Sequence, residues 1–157
     1  IRSIRVIGGF LDGVTFELSQ GLNCIIGARG TGKTTVLELV RFALDALPAS
    51  DVDPGSRRRI ESLIQQNLAG GRVELTIETR DGLIYTVTRA AGEDPIVLDA
   101  DGQATEITLK TGGFFGADIF SQNEVEAIAD QATSQLDLID KVGLPNYLQS
   151  QMEPGEQ

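Results

Sequence analysis

Polar and apolar positions alternate most strictly between residues 73 and 78, where Val73, Leu75 and Ile77 fall on one side and Glu74, Thr76 and Glu78 on the other. A period of two predicts a strand with one buried face. An Asp81-Gly82 turn and a second run through Leu83, Tyr85 and Val87 complete a predicted β-hairpin. A weaker hairpin is expected from residues 96–98, a turn at Asp101-Gly102 and residues 106–109. Upstream, residues 2–7 and 14–18 read as two strands separated by Gly8-Gly9 and Asp12-Gly13. Residues 22–26 differ from all of these. Their nearly unbroken apolar run predicts a short parallel strand buried on both faces.

Two segments carry the helical period instead. Val36, Leu37, Leu39, Val40, Phe42, Ala43, Leu44 and Leu47 predict a helix over 33–46, closed by Pro48. Ser56 is placed to cap a second helix running to Leu68, with Ile60, Leu63, Ile64 and Leu68 on one face and Gly70-Gly71 at its end. Beyond Gly112-Gly113, an apolar run over 114–120 precedes helical stretches at 123–130 and 134–142. Leu136, Leu138, Ile139 and Val142 there read as core, or as the root of a coiled-coil arm. The order strand, glycine-rich loop, helix, antiparallel strands, helix predicts a mixed α/β domain.

A chain of 157 residues with 41% hydrophobic and 23% charged side chains suits one soluble domain. No apolar run approaches the ~18–20 residues that span a bilayer, so no membrane role is expected. The formal charge of -10 argues against a uniformly basic nucleic-acid binder but leaves room for a local patch. Arg57-Arg58-Arg59 is such a patch, or else a solvated helix end answered by Asp51, Asp53 and Glu61. The lack of histidine removes imidazole from metal binding and acid–base chemistry. One cysteine, Cys24, excludes an internal disulfide and fits a reducing cytoplasm. Its place in the apolar run predicts a buried, inert thiol. Since the chain opens at Ile1 and closes on Glu153-Pro154-Gly155-Glu156-Gln157, it is expected to be part of something longer.

The run Gly27-Ala28-Arg29-Gly30-Thr31-Gly32-Lys33-Thr34 matches G-x-x-x-x-G-K-[ST] in full, between a predicted strand and a predicted helix. Glycines at 27, 30 and 32 let successive N–H groups converge on one phosphate, and the helix adds its positive N-terminal end. Lys33 supplies a mobile charge for the β- and γ-phosphates, and the Thr34 hydroxyl suits Mg²⁺. The expected ligand is a nucleoside triphosphate, with ATP and Mg²⁺ as cofactors. The candidate nucleotide-binding set is Gly27, Ala28, Arg29, Gly30, Thr31, Gly32, Lys33, Thr34 and Thr35. Asp99-Ala100-Asp101-Gly102 also matches D-x-x-G of GTPases, but it falls at a hairpin turn, and no guanine-reading Asn-Lys-x-Asp follows.

From Gly21-Leu22-Asn23-Cys24-Ile25-Ile26-Gly27 through the P-loop to Leu44, with Phe10 in the turn before it, the sequence resembles the N-terminal half of SMC-like ATPase heads. These are ABC-type ATPases that include the SMC, RecN and SbcC-like proteins of DNA repair and chromosome maintenance. Ile119-Phe120-Ser121-Gln122-Asn123-Glu124-Val125 looks like the family's Q-loop. The resemblance implies that Gln122 reaches Mg²⁺ and the attacking water, making it the candidate catalytic residue and, with Thr34, a metal ligand. Taken alone, Gln122 also reads as a polar residue beginning a helix. Arg29 stands where many relatives carry asparagine, and Leu11 where repair ATPases often carry arginine.

The resemblance implies a fold as well: a P-loop NTPase of the α/β class, an ABC-type head lobe with a buried parallel strand feeding the P-loop and an antiparallel β-subdomain. Residues 1–157 would be a single N-terminal ATPase lobe, P-loop to Q-loop. The signature motif, Walker B strand and switch histidine would lie in a C-terminal lobe outside this chain. The implied partners are that lobe or a second head in an ATP-dependent dimer, with DNA reached through the assembled complex. By itself this lobe would be almost inactive. Two other readings stay open on the sequence: a nucleotide-binding regulatory module without hydrolysis, and a small-molecule P-loop kinase. No arginine-rich lid follows the P-loop helix to favour the kinase.

Overall fold

The computed structural model describes residues 1–20, 23–48 and 54–109, together with 130, 135 and 136. Five strands, β1 (Ser3–Ile7), β2 (Thr15–Glu17), β3 (Arg72–Glu78), β4 (Ile84–Ala90) and β5 (Ile96–Leu98), form one sheet in the order β2-β1-β3-β4-β5. Every pairing in it is antiparallel. Two helices, α1 (Lys33–Ala43) and α2 (Pro54–Leu68), accompany the sheet. The chain divides into two compact units, 1–119 and 120–157, and these strands and helices all belong to the first.

The register explains why the sheet has one dry face. Phe16 lies opposite Ile4, Ile4 opposite Leu75, Leu75 opposite Val87, and Val87 opposite Val97. One apolar row therefore crosses all five strands. A second inward row, Val6, Val73 and Arg89, runs beside it and ends on a cation. The outward rows are mixed: Thr15, Arg5, Glu74, Thr88 and Ile96 form one of them. A one-residue slip anywhere would exchange the two kinds of row, so burial itself fixes the pairing.

Helices α1 and α2 cover the dry face. Val36, Leu39, Val40, Phe42 and Ala43 of α1 and Ile60, Ile64 and Leu68 of α2 join the strand side chains in one core. Eight of the eleven residues of α1 are buried, Glu38 and Arg41 among them as an ion pair with 3.8 Å between Oε2 and Nε. Where β1 ends, its chain crosses the end of α2 at close range. A Cβ on Gly9 would overlap the Asn67 carbonyl, and one on Gly71 would overlap the Ile7 carbonyl. The glycine pair that reads as a turn and the pair that reads as a helix end are thus also a backbone crossing, sealed by a 2.9 Å bond from Phe10 N–H to Asn67 O.

Several boundaries shift from expectation. Helix α2 starts at Pro54, two residues before Ser56, as suits a residue whose fixed φ is preorganised for the first helical position. Helix α1 stops at Ala43, because Leu44 leaves helical geometry and Asp45 takes a φ of 54°. The weaker hairpin is corrected. Residues 96–98 pair with β4, and their return partner is the Gln103–Thr105 stretch through the Leu98–Ala104 bridge, with residues 106–109 in no strand. The Asp99 carboxylate accepts from the Asp101 and Gln103 N–H groups, so D-x-x-G is a turn.

The larger correction concerns residues 22–26. Leu22 lies outside the described residues, and residues 23–26 belong to no strand or helix, so they are not a buried parallel strand, although Ile25 is partly buried against the core. Ile26 is 91% exposed and Cys24 is exposed rather than buried. A run this apolar is dry only between two neighbours, and no strand flanks it among the described residues. Of the residues expected to pack beyond 134, Leu136 alone is described, and it is exposed.

Leu75 is fully buried at the centre of the cross-sheet row. Leu75→Ala should cost roughly 2–5 kcal/mol of stability, read as a lower urea midpoint at unchanged slope. Thr76→Ala, one residue along on the mixed face, should change it by about 0.5 kcal/mol or less.

Candidate functional site

Residues 23–26 lead the chain to Gly27, and the loop closes on itself before α1 begins. The Thr31 hydroxyl donates to the Ala28 carbonyl at 2.9 Å. Lys33 Nζ donates to the carbonyls of both Gly27 and Ala28, each at 2.7 Å. The lysine therefore holds the loop in shape with the same charge that a phosphate would attract.

Gly30 and Gly32 have φ of 84° and 87°, a region costly for any residue with a Cβ. Gly32 is the N-cap of α1, and no side chain caps the helix. Its first intrahelical bond runs from Val36 N–H to Gly32 O at 3.0 Å, so the N–H groups of Lys33, Thr34 and Thr35 precede the ladder. No acidic residue lies in the first turn. These features together fit a nucleotide phosphate: free helical N–H groups, a positive helix end, a cation, and no competing carboxylate.

Gly27, Ala28, Arg29, Gly30, Thr31 and Thr34 are exposed, Gly32 and Lys33 half-buried, and Thr35 buried. The structure brings these nine residues into one loop and helix start. Gln122 lies outside the described residues. Thr34 is exposed in the first turn of α1, and among the described residues no group of three or more acidic, cysteine or histidine side chains could hold a metal. Arg57 is engaged by Glu61 and by the Pro48 carbonyl, while Arg58 and Arg59 are exposed. No helix among the described residues is long and apolar enough to cross a membrane.

Two features around the cradle were not read from the sequence. The turn after β1 supports it: a Cβ on Gly32 would stand 3.4 Å from a Leu11 methyl and 3.5 Å from the Phe10 ring, and Phe10 remains 66% exposed beside the loop. The sequence resemblance set Phe10 in the turn before the loop and marked Leu11, but not their packing against Gly32. At the far end of α1, Arg89 of β4 is buried against the helix end, beside a cavity of about 510 Å³ lined by Phe42, Leu47, Arg57, Glu61 and Arg89 among others. Its signal was available, because period-two alternation places Arg89 on the same face as Val87.

Comparison with known proteins agrees with this geometry. Residues 2–146 match a family model described as an AAA domain. Over 75 residues, 48% of the chain, it is 37% identical to the DNA double-strand break repair Rad50 ATPase of Methanococcus maripaludis, of which this covers 7%. Over 67 residues, 36% of the chain, it is 37% identical to the mycobactin import ATP-binding/permease protein IrtB of Mycolicibacterium thermoresistibile, covering 12% of that protein. The chain thus spans a small part of either relative's length.

The glycine at the start of α1 can be tested against a glycine with the same backbone strain elsewhere. Gly32→Ala should weaken Mg·ATP binding by about tenfold, since an L-residue there either pays ~1–2 kcal/mol or lets the cradle relax. Gly13 also has a positive φ, of 74°, with open space around it. Gly13→Ala should lower the melting midpoint comparably and leave the calorimetric affinity unchanged.

Proposed function

Since the chain belongs to the AAA-domain family, and to its SMC/Rad50-like ABC ATPase heads as an N-terminal lobe, we propose that it binds Mg·ATP at residues 27–35 and hydrolyses it once a C-terminal lobe completes the site. The observation that carries this reading is the closed loop itself, with Lys33 Nζ on the Gly27 and Ala28 carbonyls and α1 opening uncapped from Gly32. Lys33 would meet the β- and γ-phosphates, and the Thr34 hydroxyl and the Gln122 side-chain oxygen would be ligands of Mg²⁺. Gln122 would also orient the attacking water, a task that needs an amide and no titration.

The exposed segment 23–26 supports a partner. An apolar run that leads into a phosphate loop, with Ile26 almost wholly in solvent, suits a segment that gains neighbours on assembly. A C-terminal lobe, or a second head joined in an ATP-dependent dimer, would supply them, and residues 1–157 would then be one lobe of a larger ATPase. The relative described as a double-strand break repair ATPase supports work on DNA, in repair or chromosome maintenance. The exposed thiol of Cys24 suits a reducing cytoplasm.

Isothermal calorimetry with Lys33→Ala tests the binding step. The variant should fold as wild type and bind Mg·ATP at least about a hundredfold more weakly, roughly 2.7 kcal/mol; equal affinity would refute the assignment. Wild-type chain alone should release phosphate negligibly, and a C-terminal lobe added in trans should raise the rate. Rapid turnover by the pure chain, abolished by Lys33→Ala, would show that the lobe is complete without a partner.

In that assembled head, Gln122→Ala should lower turnover by roughly ten- to a hundredfold, one lost positioning contact in the transition state. Metal-free ADP binding should not change. Turnover near that of wild type would leave Gln122 as a helix-start residue.

A further inference from the structure

The end of α1 remote from the phosphate loop is held in an unusual way. The last carbonyls of a helix have no intrahelical donor and are commonly met by a glycine cap or by water. Here one is met by a guanidinium from the sheet. Arg89 Nη1 donates to the Phe42 carbonyl at 2.6 Å and to Asp45 Oδ1 at 2.9 Å, while its Nε donates to the Glu93 carbonyl at 2.8 Å. The guanidinium carbon also lies 4.3 Å from the centroid of the Phe42 ring. Phe42 O accepts from Asp45 N–H as well, at 3.1 Å, so the carbonyl is held from two sides.

Covering a helix end does not require a buried cation. Arg89 is 9% exposed in a row otherwise made of Val6 and Val73, where an apolar side chain would avoid the desolvation cost. What the guanidinium adds is direction. Its three acceptors lie on the last turn of α1, on Asp45 two residues past that helix, and in the turn after β4, so α1 cannot slide along or rotate about its axis without breaking charge-assisted bonds. A cation there also complements the negative end of the helix.

Helix α1 has 11 residues and is about 16 Å long. It is stiff along its axis, so displacement at Phe42 reappears at Lys33, Thr34 and Thr35. Phosphate binding at those N–H groups tolerates little of it, because hydrogen bonds weaken steeply outside a narrow range of distance and angle. We propose that Arg89 is a positioning residue for the phosphate site: it locks the axial placement of α1 against β4 and thereby sets the N–H groups at the other end of the helix. The inference rests on residues 27–35 being a nucleotide site.

The test uses the full chain as Arg89→Met and Arg89→Lys, with Val97→Ala as a control that loosens the core on β5, away from the end of α1. Mg·ATP affinity is measured well below each melting midpoint, and amide exchange is followed along α1. Arg89→Met should bind Mg·ATP roughly five- to twentyfold more weakly and speed exchange at residues 33–36 as well as at 42–46. Arg89→Lys should recover part of the affinity, since the charge remains while the fork is lost. Val97→Ala should melt lower and bind as wild type. If Arg89→Met fails to fold, the affinity of Arg89→Lys decides. Wild-type affinity in the folded Arg89 variants, or an equal loss in Val97→Ala, overturns the inference and leaves Arg89 a stabilising residue only. Lys33→Ala, run beside them, separates the two readings: if it binds Mg·ATP as well as wild type, the nucleotide site itself is wrong and this role falls with it.

Discussion

A helix that opens on N–H groups with no capping side chain has to be held elsewhere, and much of this unit serves to hold it. Helix α1 opens from Gly32 with no side chain capping its first turn and no acid within that turn. Its stability therefore comes from its other end and from its sides. Eight of its residues are buried, far more than a one-sided surface helix would bury, so it is an internal strut between the sheet and its surroundings. The apolar row from Phe16 to Val97 supplies the floor, and Arg89 the end stop.

Much of this could be seen in the chain before folding, and the failures share one cause. The β3–β4 hairpin and both helices were legible because their patterns are local: alternation over seven residues, or apolar positions three and four apart. The glycine-rich loop before α1 was legible as a motif because its glycines, lysine and threonine lie within eight consecutive residues. What stayed hidden depends on neighbours distant in sequence. The run 22–26 has a buried strand's composition, yet composition cannot say whether the strands that would bury it lie nearby. Cys24 inherited the same error. The hairpin after 96–98 was given its return arm at 106–109 where 103–105 pairs, and the pairing of 96–98 with β4 went unread. Arg89 was overlooked for the opposite reason: its alternation pointed inward, and a buried arginine reads as an exception until its acceptors on α1 are known.

The sheet order has a temporal consequence. Strands β3 and β4 are joined by a short turn, but β1 must find β3 across roughly 70 intervening residues that hold the phosphate loop and both helices, as the pairing of Ser3 with Thr76 shows. On this topology the hairpin forms early and β1 docks late, carrying the Phe10–Leu11 turn to its place against Gly32. The loop's final shape is then among the last things to appear as the chain folds. Until β1 arrives, β3 presents an unpaired edge in the middle of what will become the sheet, and another copy of the chain can fill it with its own β1.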